Sequence, residues 1–366
     1  MNDAHDDPAT HPRFAQIERV RRRSGRVRQT FIDMAHGGGG KAMRDLIDDL
    51  VVGAFGSLGL DAGEDQARVG LEVLAQHGDR LAFTTDAYVV TPLFFPGADI
   101  GKLAVNGTIN DLAVSGARPY MLSCALVLEE GLAVDTLRRV LGSMAEAARA
   151  AGVSITTGDT KVVPRGKADG LFVTTTGIGV IPVGRAPRSD RLRPGDAVLV
   201  NGTLGDHAAA ILVARGELRL DAEIPSDYAA LHGMVDALFA VTDVHAMRDA
   251  TRGGLAAVLN ELALASEAGV VVDESALPVR PEVRGFCEIL GLDPVHMANE
   301  GKLVAVVPGD AAPRALAAMR AHPLGRDAAI IGHVRERGPG VVTVRTGMGG
   351  ERILDMLVGE ALPRIC

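Results

Sequence analysis

Gly184-Arg185-Ala186-Pro187-Arg188-Ser189-Asp190, followed shortly by Arg193-Pro194-Gly195-Asp196, is the stretch that divides this chain. Glycine and proline punctuate it and charges crowd it, the composition of a connection and not of a packed element. Working back from it, Leu171–Ile181 and Val153–Thr157 read as strands. Leu137, Val140, Leu141, Met144 and Ala148 form a helix stripe, with Asp135 as predicted N-cap and Gly152 as stop. Ile100–Ser115 reads as a helix and Leu81–Val90 as a strand around Asp86. Met43, Leu46, Ile47, Leu50 and Val51 fall on one helix face. Working forward, a strand at Ala197–Val200 is followed by Gly202, Gly205 and a helix, and another helix begins near Thr251 and runs through Leu262. Strands follow at Gly269–Val272, Lys302–Val307, Ala329–Val334 and Val341–Val344. Strands and helices alternate on both sides, so the pattern predicts an α/β (α+β) protein of two domains, 30–185 and 190–349. A 1–29 extension precedes them and a 350–366 tail, helix or loose segment, follows. Strand order is not readable from the pattern.

The 366 residues are 47% hydrophobic, with 44 Gly and no Trp, which suits a folded α/β chain rich in tight turns. The net charge of -8 argues against a general nucleic-acid or membrane-surface binder. No apolar run is long enough to span a membrane, and the polar N-terminus does not resemble a secretory signal. Cys124, Cys287 and Cys366 are far apart, with no CxxC, which points to a reducing cytoplasm. Arg19, Arg21, Arg22, Arg23, Arg26 and Arg28 crowd the extension, and the acidic remainder favours a solvated arm over an anion-binding one.

Four motifs could carry chemistry. His36-Gly37-Gly38-Gly39-Gly40-Lys41 precedes the first helix. Consecutive glycines let backbone amides crowd an anion beside a positive helix end, although this is neither a Walker A loop nor GxGxxG, and a flexible linker fits as well. Asp86, Asp111, Asp159 and Asp249 each sit in apolar or small-residue surroundings, where an acid needs a partner or a metal. Oxygen ligands of this kind suit Mg²⁺ shared with phosphates. Thr251-Arg252-Gly253-Gly254 opens a helix and offers another phosphate edge, or only a capping turn. Asn299-Glu300-Gly301-Lys302 turns into a strand. Cys124 and Cys287 read as core residues, whereas Cys366 ends a segment, Leu362-Pro363-Arg364-Ile365-Cys366, that reads as a poor core position and a good place for a travelling thiol.

In this order, and with Thr85-Asp86, Asn106-Gly107-Thr108-Ile109-Asn110-Asp111-Leu112-Ala113, Gly158-Asp159-Thr160-Lys161-Val162-Val163 and Met247-Arg248-Asp249-Ala250, the chain from about 30 to 366 resembles the ATP-binding superfamily of aminoimidazole ribonucleotide synthetase. The ending Pro363-Arg364-Ile365-Cys366 is similar to that of one branch, the HypE carbamoyl dehydratases of NiFe hydrogenase maturation. The chain departs at 1–29, which extends beyond the usual start, and at Gly38, where relatives often carry another small residue. The resemblance implies N-terminal domains whose sheets pair into a barrel in a homodimer, and a flexible tail. It implies ATP held by Gly37, Gly38, Gly39, Gly40, Lys41, Asn110, Thr160, Thr251, Arg252 and Gly253, and Mg²⁺ held among Asp86, Asp111, Asp159 and Asp249. It implies a catalytic set of Cys366, Lys161, His36 and Glu300, with the base either of the last two.

The implied reaction is ATP-dependent. Cys366 takes a carbamoyl group from the carbamoyltransferase HypF, and the group is phosphorylated on oxygen and loses phosphate to leave a thiocyanate. The cyano group then passes to iron on a HypC–HypD scaffold. Phosphorylation turns an amide oxygen into a leaving group, and phosphoryl transfer is mostly positioning and charge neutralisation. The 17 residues from Gly350 extend at most about 60 Å, enough for a thiol that visits donor, ATP site and acceptor in turn. Two relatives compete with this reading. Selenophosphate synthetase needs a reactive Cys or selenocysteine near its glycine loop, and residues 30–41 contain neither. Thiamine-monophosphate kinase has no use for a terminal thiol. A non-catalytic assembly protein that presents its tail is the third alternative.

Overall fold

The computed structural model describes residues 25–60, 64–216, 224–337, 340–358, 362 and 364–366. Arg19 to Arg23 of the basic extension lie outside the described residues. Its end is tied down: Gly25 and Val27 donate their backbone N–H groups to Asp45 (3.0 Å) and Asp49 (3.1 Å).

The N-terminal domain is a four-stranded sheet built from β1 (Arg80–Tyr88), β2 (Arg118–Glu129), β3 (Ser154–Val163) and β4 (Leu171–Ile181), in the order β1-β4-β2-β3. Neighbours run antiparallel except β2 and β3, which are parallel and joined by a helical crossover. One face is covered by α1 (Ile100–Val114) and by that crossover helix, α2 (Val134–Ala151). The stripe expected on α2 is buried, and Gly152 ends the helix at φ 67°. Asp135 is not its N-cap; Ala133 holds that position and Asp135 stands in the first turn, where a negative charge still meets the helix dipole. The described residues leave the other sheet face uncovered: Leu81 is 56% and Phe83 72% exposed.

The C-terminal domain contains β5 (Ala197–Val200), α3 (Asp206–Ala214), α4 (His232–Phe239), β6 (Ala246–Asp249), α5 (Gly254–Ser266), β7 (Ala268–Asp273), α6 (Pro281–Leu290), β8 (Leu303–Val307), α7 (Ala312–Ala321), β9 (Ala329–Arg337), β10 (Val342–Arg345) and β11 (Glu351–Ile353). Its seven strands run β11-β10-β7-β9-β5-β8-β6. β5 and β8 are buried along their whole length. Val198, Val200, Val304 and Val306 face the α5 side, while Ala197, Leu199, Leu303, Ala305 and Val307 face α4 and α7. That two-sided burial is why these strands are continuously apolar. Residues 351–353, expected within a helix or loose tail, are an edge strand paired with β10.

α1 joins the two halves. It is buried nearly all round because it packs on β1 and β4 and also against α4 and β6. Among the described residues no helix is long and apolar enough to cross a membrane.

Candidate active site

A pocket of about 210 Å³ opens where α1 meets the C-terminal domain, lined by Thr85, Asp86, Gly107, Asp111, Asp249, Thr251, Arg252, Glu300 and Cys366, among others. Strand alternation turns Asp86 to the same side of β1 as the half-buried Thr84 and the buried Tyr88. Gly107 and Asp111 are one helical turn apart on α1, so they share a face. A Cβ at Gly107 would collide with the Tyr88 hydroxyl, so only glycine lets helix and strand approach this closely. Asp111 Oδ2 accepts from the Thr84 hydroxyl at 2.8 Å. Asp249 ends β6, and the turn at Gly253 (φ 75°) carries Thr251 and Arg252 into α5. Glu300 precedes β8, its backbone N–H held by Asp227 at 3.0 Å. Gly301 runs so close to the Asp227 carbonyl that a side chain there would strike it.

The charges here are poorly compensated. Burial, with Asp111 and Asp86 nearby, pushes the Asp249 carboxyl up to about 7. Burial and then Asp86 raise Asp111 above its ordinary range, against the pull of the Thr84 hydroxyl. Burial raises Glu300 well above the usual carboxylate range, and Asp227, Asp249 and Asp86 add to it. Glu300 Oε1 is buried with no hydrogen-bond partner among the described residues. Burial and the Glu300 carboxylate hold the Cys366 thiol well above its ordinary value, with Arg252 opposing. Among the described residues no three His, Cys, Asp or Glu side chains form a ready-made metal cage. Mg²⁺ does not need one, because it keeps several waters and shares its shell with phosphates. Hard oxygen donors that repel one another beside an arginine fit such an ion and a phosphate group.

Two family models cover most of the chain: the AIR synthase related protein N-terminal domain matches residues 63–181 and the C-terminal domain matches residues 193–345. The carbamoyl dehydratase HypE of Rhodobacter capsulatus is 58% identical over 341 residues, 93% of this chain and 99% of that protein. The chain belongs to the HypE family of carbamoyl dehydratases. A HypE structure in complex with ATP superposes with a TM-score of 0.86 at 49% identity, covering 91% of this chain and 99% of the other. A structure of a HypE–HypF complex matches with a TM-score of 0.73 at 46% identity, covering 76% and 90%.

Within this HypE-family chain, the residues expected to act together fall into three places. Asp86, Asp111, Asp249, Thr251, Arg252, Glu300 and Cys366 share the pocket. Asp159 does not join its three fellow acids. It lies on β3 and Asp86 on β1, the two edges of the sheet, about 14 Å apart at three strand spacings. Asp159 is bonded to Lys161 Nζ at 2.6 and 2.7 Å, which lowers its pKa, and with Thr160 it lines a separate apolar pocket beside Met43, Ile47 and Cys124. The glycine loop forms the third place. Gly37 presses on Val162, Lys41 pairs with Asp45 at 2.9 Å, and the buried His36 caps Asp33, accepting its backbone N–H at 3.1 Å. None of Gly37 to Lys41 lines the Cys366 pocket, and His36 does not either.

Asn110, expected at the nucleotide, has its side chain committed elsewhere. It donates to the carbonyls of Ala229 (2.9 Å) and Glu300 (3.2 Å) and accepts from Leu231 N–H (2.8 Å), tying α1 to the other domain. Asp227 and His207 were missed. Asp227 forms a buried ion pair with Lys302 at 2.8 Å, and His207 binds the tail. No local motif marks either; both work through residues far away in the sequence.

Proposed function

We propose that this chain dehydrates an S-carbamoyl group on Cys366 to a thiocyanate at the expense of ATP, supplying cyanide for the iron of NiFe hydrogenase. The observation that carries this reading is the seat of the thiol: Cys366 lines the same pocket as Asp86, Asp111, Asp249 and Glu300. A carbamoyl group on that sulfur would lie among carboxylates suited to a magnesium–phosphate centre. The ATP complex of a HypE relative supports the nucleotide, and the HypE–HypF complex supports HypF as carbamoyl donor. A HypC–HypD iron scaffold is the acceptor, and a reducing, ATP-supplied cytoplasm is the compartment.

The carbamoyl oxygen attacks the γ-phosphorus of ATP and ADP leaves. Glu300 removes an N–H proton, the C–O bond breaks, phosphate departs with the oxygen, and loss of the second proton leaves the nitrile. Glu300 serves better than His36 as the base, because it lines the pocket that holds Cys366 and its raised pKa makes it more basic. Mg²⁺ would be held by Asp86, Asp111 and Asp249, where it neutralises phosphate charge. Arg252 and Thr251 orient the phosphate edge.

The open apolar face of the N-terminal sheet, with Leu81 and Phe83 outermost, fits pairing with a second copy into a closed barrel. In that barrel the β3 edge of one copy lies beside the β1 edge of the other. Asp159, Thr160 and Lys161 then complete the pocket of the neighbouring copy, and the glycine loop, packed on β3 at Val162, moves with them.

The test is the mass of the carbamoylated C-terminal peptide. With ATP and Mg²⁺ it falls by one water, about 18 Da, and ¹⁸O placed in the carbamoyl group appears in the released phosphate. An unchanged mass during ATP turnover would refute the proposal.

A further inference from the structure

The tail is seated by a specific set of contacts. We propose that His207 and Arg215, both at α3 of the C-terminal domain, are positioning residues that clamp the last peptide units so that Cys366 enters the acidic pocket. This rests on the dehydratase reading for its purpose but not for its geometry.

His207 Nε2 lies 2.7 Å from the carbonyl oxygen of Ile365, and its Nδ1 lies 2.8 Å from Ser226 Oγ. A carbonyl only accepts, so Nε2 carries the proton and Nδ1 accepts from the Ser226 hydroxyl. Ser226 Oγ in turn accepts from Tyr228 N–H at 3.3 Å, and its backbone N–H donates to the Pro96 carbonyl at 2.9 Å. Phe95 meets the ring edge-on at 5.6 Å. Burial pushes the His207 pKa down, against the pull of Asp227, which keeps the ring neutral. A neutral donor holds the tail without leaving a buried charge when the tail departs.

Arg215 supplies the second jaw. Its Nη2 donates to the Arg364 carbonyl at 2.6 Å and its Nε to the Thr91 carbonyl at 2.9 Å. The N-terminal domain closes from the other side: Thr91 N–H donates to the same Arg364 carbonyl at 3.2 Å, and Val90 bridges Ile365. Arg364 Nη1 reaches Asp169 at 2.9 Å. Arg364 itself sits at φ 58°, a left-handed conformation that an arginine does not prefer. The turn leads Cys366 into the pocket shared with Glu300 and persists because the Arg364 and Ile365 carbonyls are both held. Strain opposed by releasable hydrogen bonds suits a segment that docks and leaves.

The test is the alkylation rate of Cys366 by iodoacetamide in the full chain, read by peptide mass, with buried Cys124 and Cys287 as internal references. His207→Phe keeps a ring but removes the donor, so Cys366 should react about 10-fold faster. Arg215→Ala should act in the same direction, and His207→Gln, which keeps an N–H, should restore most of the protection. Single-turnover dehydration of the pre-carbamoylated chain should slow by a similar factor in His207→Phe while the KM for ATP stays put. Wild-type alkylation rates in both His207→Phe and Arg215→Ala would overturn the clamp. If His207→Phe fails to fold, Arg215→Ala decides alone. Faster alkylation in the variants, in a protein whose wild type never forms a nitrile, would support the clamp and sink the dehydratase reading.

Discussion

Two populations of carboxylates divide this molecule. Asp45, Asp49 and Asp159 each stand beside a cation, hydrogen-bonded to Lys41, Arg138 and Lys161 respectively, and each has its pKa lowered chiefly by that bond. Asp111, Asp249 and Glu300 are shifted the other way by burial and by neighbouring carboxylates, Asp86 in every case. The first kind of acid helps the fold hold together. The second opposes it, and a fold that tolerates such repulsion in one pocket has a use for the charge. The contrast separates paired from crowded acids within one chain, without reference to any relative.

Removing the group these acids surround should have the largest effect. Cys366→Ala should abolish nitrile formation while leaving the thermal melt close to the wild-type value, because only one sulfur is lost, from a half-buried terminal residue at the margin of the core. Any residual maturation of hydrogenase by this variant would break the link between pocket and thiol.

Next in size is Asp86→Asn, which keeps volume and removes one repelling charge. Mg²⁺-dependent ATP turnover should fall by about 10³-fold, the scale of losing a well-placed electrostatic group. Asp249→Asn should behave alike and, in chelator, melt higher than wild type, since burying an amide costs less than burying that charge. Asp49→Asn should do the reverse, leaving turnover unchanged and melting lower. If Asp86→Asn turns over ATP normally at saturating Mg²⁺, the division between the two sets of acids is wrong.

Asp159 and Lys161 sharpen the comparison, because they are paired here yet are proposed to serve a second copy. Asp86→Asn and Lys161→Ala proteins should each be nearly inactive. Mixed and allowed to exchange subunits, they should recover about a quarter of wild-type activity, since half the dimers are hybrids and each hybrid holds one intact site. No recovery would place Lys161 in the site of its own chain.

This division also marks what could be read from the sequence. Leu171–Ile181 and Ala197–Val200 were legible to the residue, because alternation and continuous apolarity report burial on one or two faces. β2, beginning Arg118-Pro119, and the alanine-rich α7 were not: β2 buries Leu122, Cys124, Leu126 and Leu128 in alternation, but the apolar Met121, Ala125 and Val127 between them hide that period, and α7 has few large apolar residues to mark a face. For the site, local surroundings picked out Asp86, Asp111, Asp249 and Glu300. They also picked out Asp159, because a sequence shows that an acid sits among small residues and not which sheet edge it occupies. Asn110 was expected at the nucleotide through the family resemblance alone, and its partners are Ala229, Leu231 and Glu300, more than a hundred residues away. The tail read as loose because pairing of Glu351–Ile353 with β10, and of Ile365 with Val90, depends on partners no local pattern names.

The smallest expected effect lies in the paired set and is one of pH. Asp49 bonds Arg138 at 3.0 Å and accepts from Val27 N–H at 3.1 Å, and these bonds hold its folded pKa below the ordinary carboxylate value. A depressed carboxylate stabilises the fold above its unfolded pKa, and that contribution disappears as pH falls through the folded value. Asp49→Asn should therefore lower stability by about 0.5 kcal/mol at pH 7, the range of a partly exposed pair. The difference from wild type should shrink below about pH 4 and vanish once Asp49 is protonated in both states. Denaturant titrations of the two proteins across that range would show it. A gap that stays constant down to the acid transition would mean that the Asp49 contacts act through packing and not through charge, and the acid would then belong to neither population.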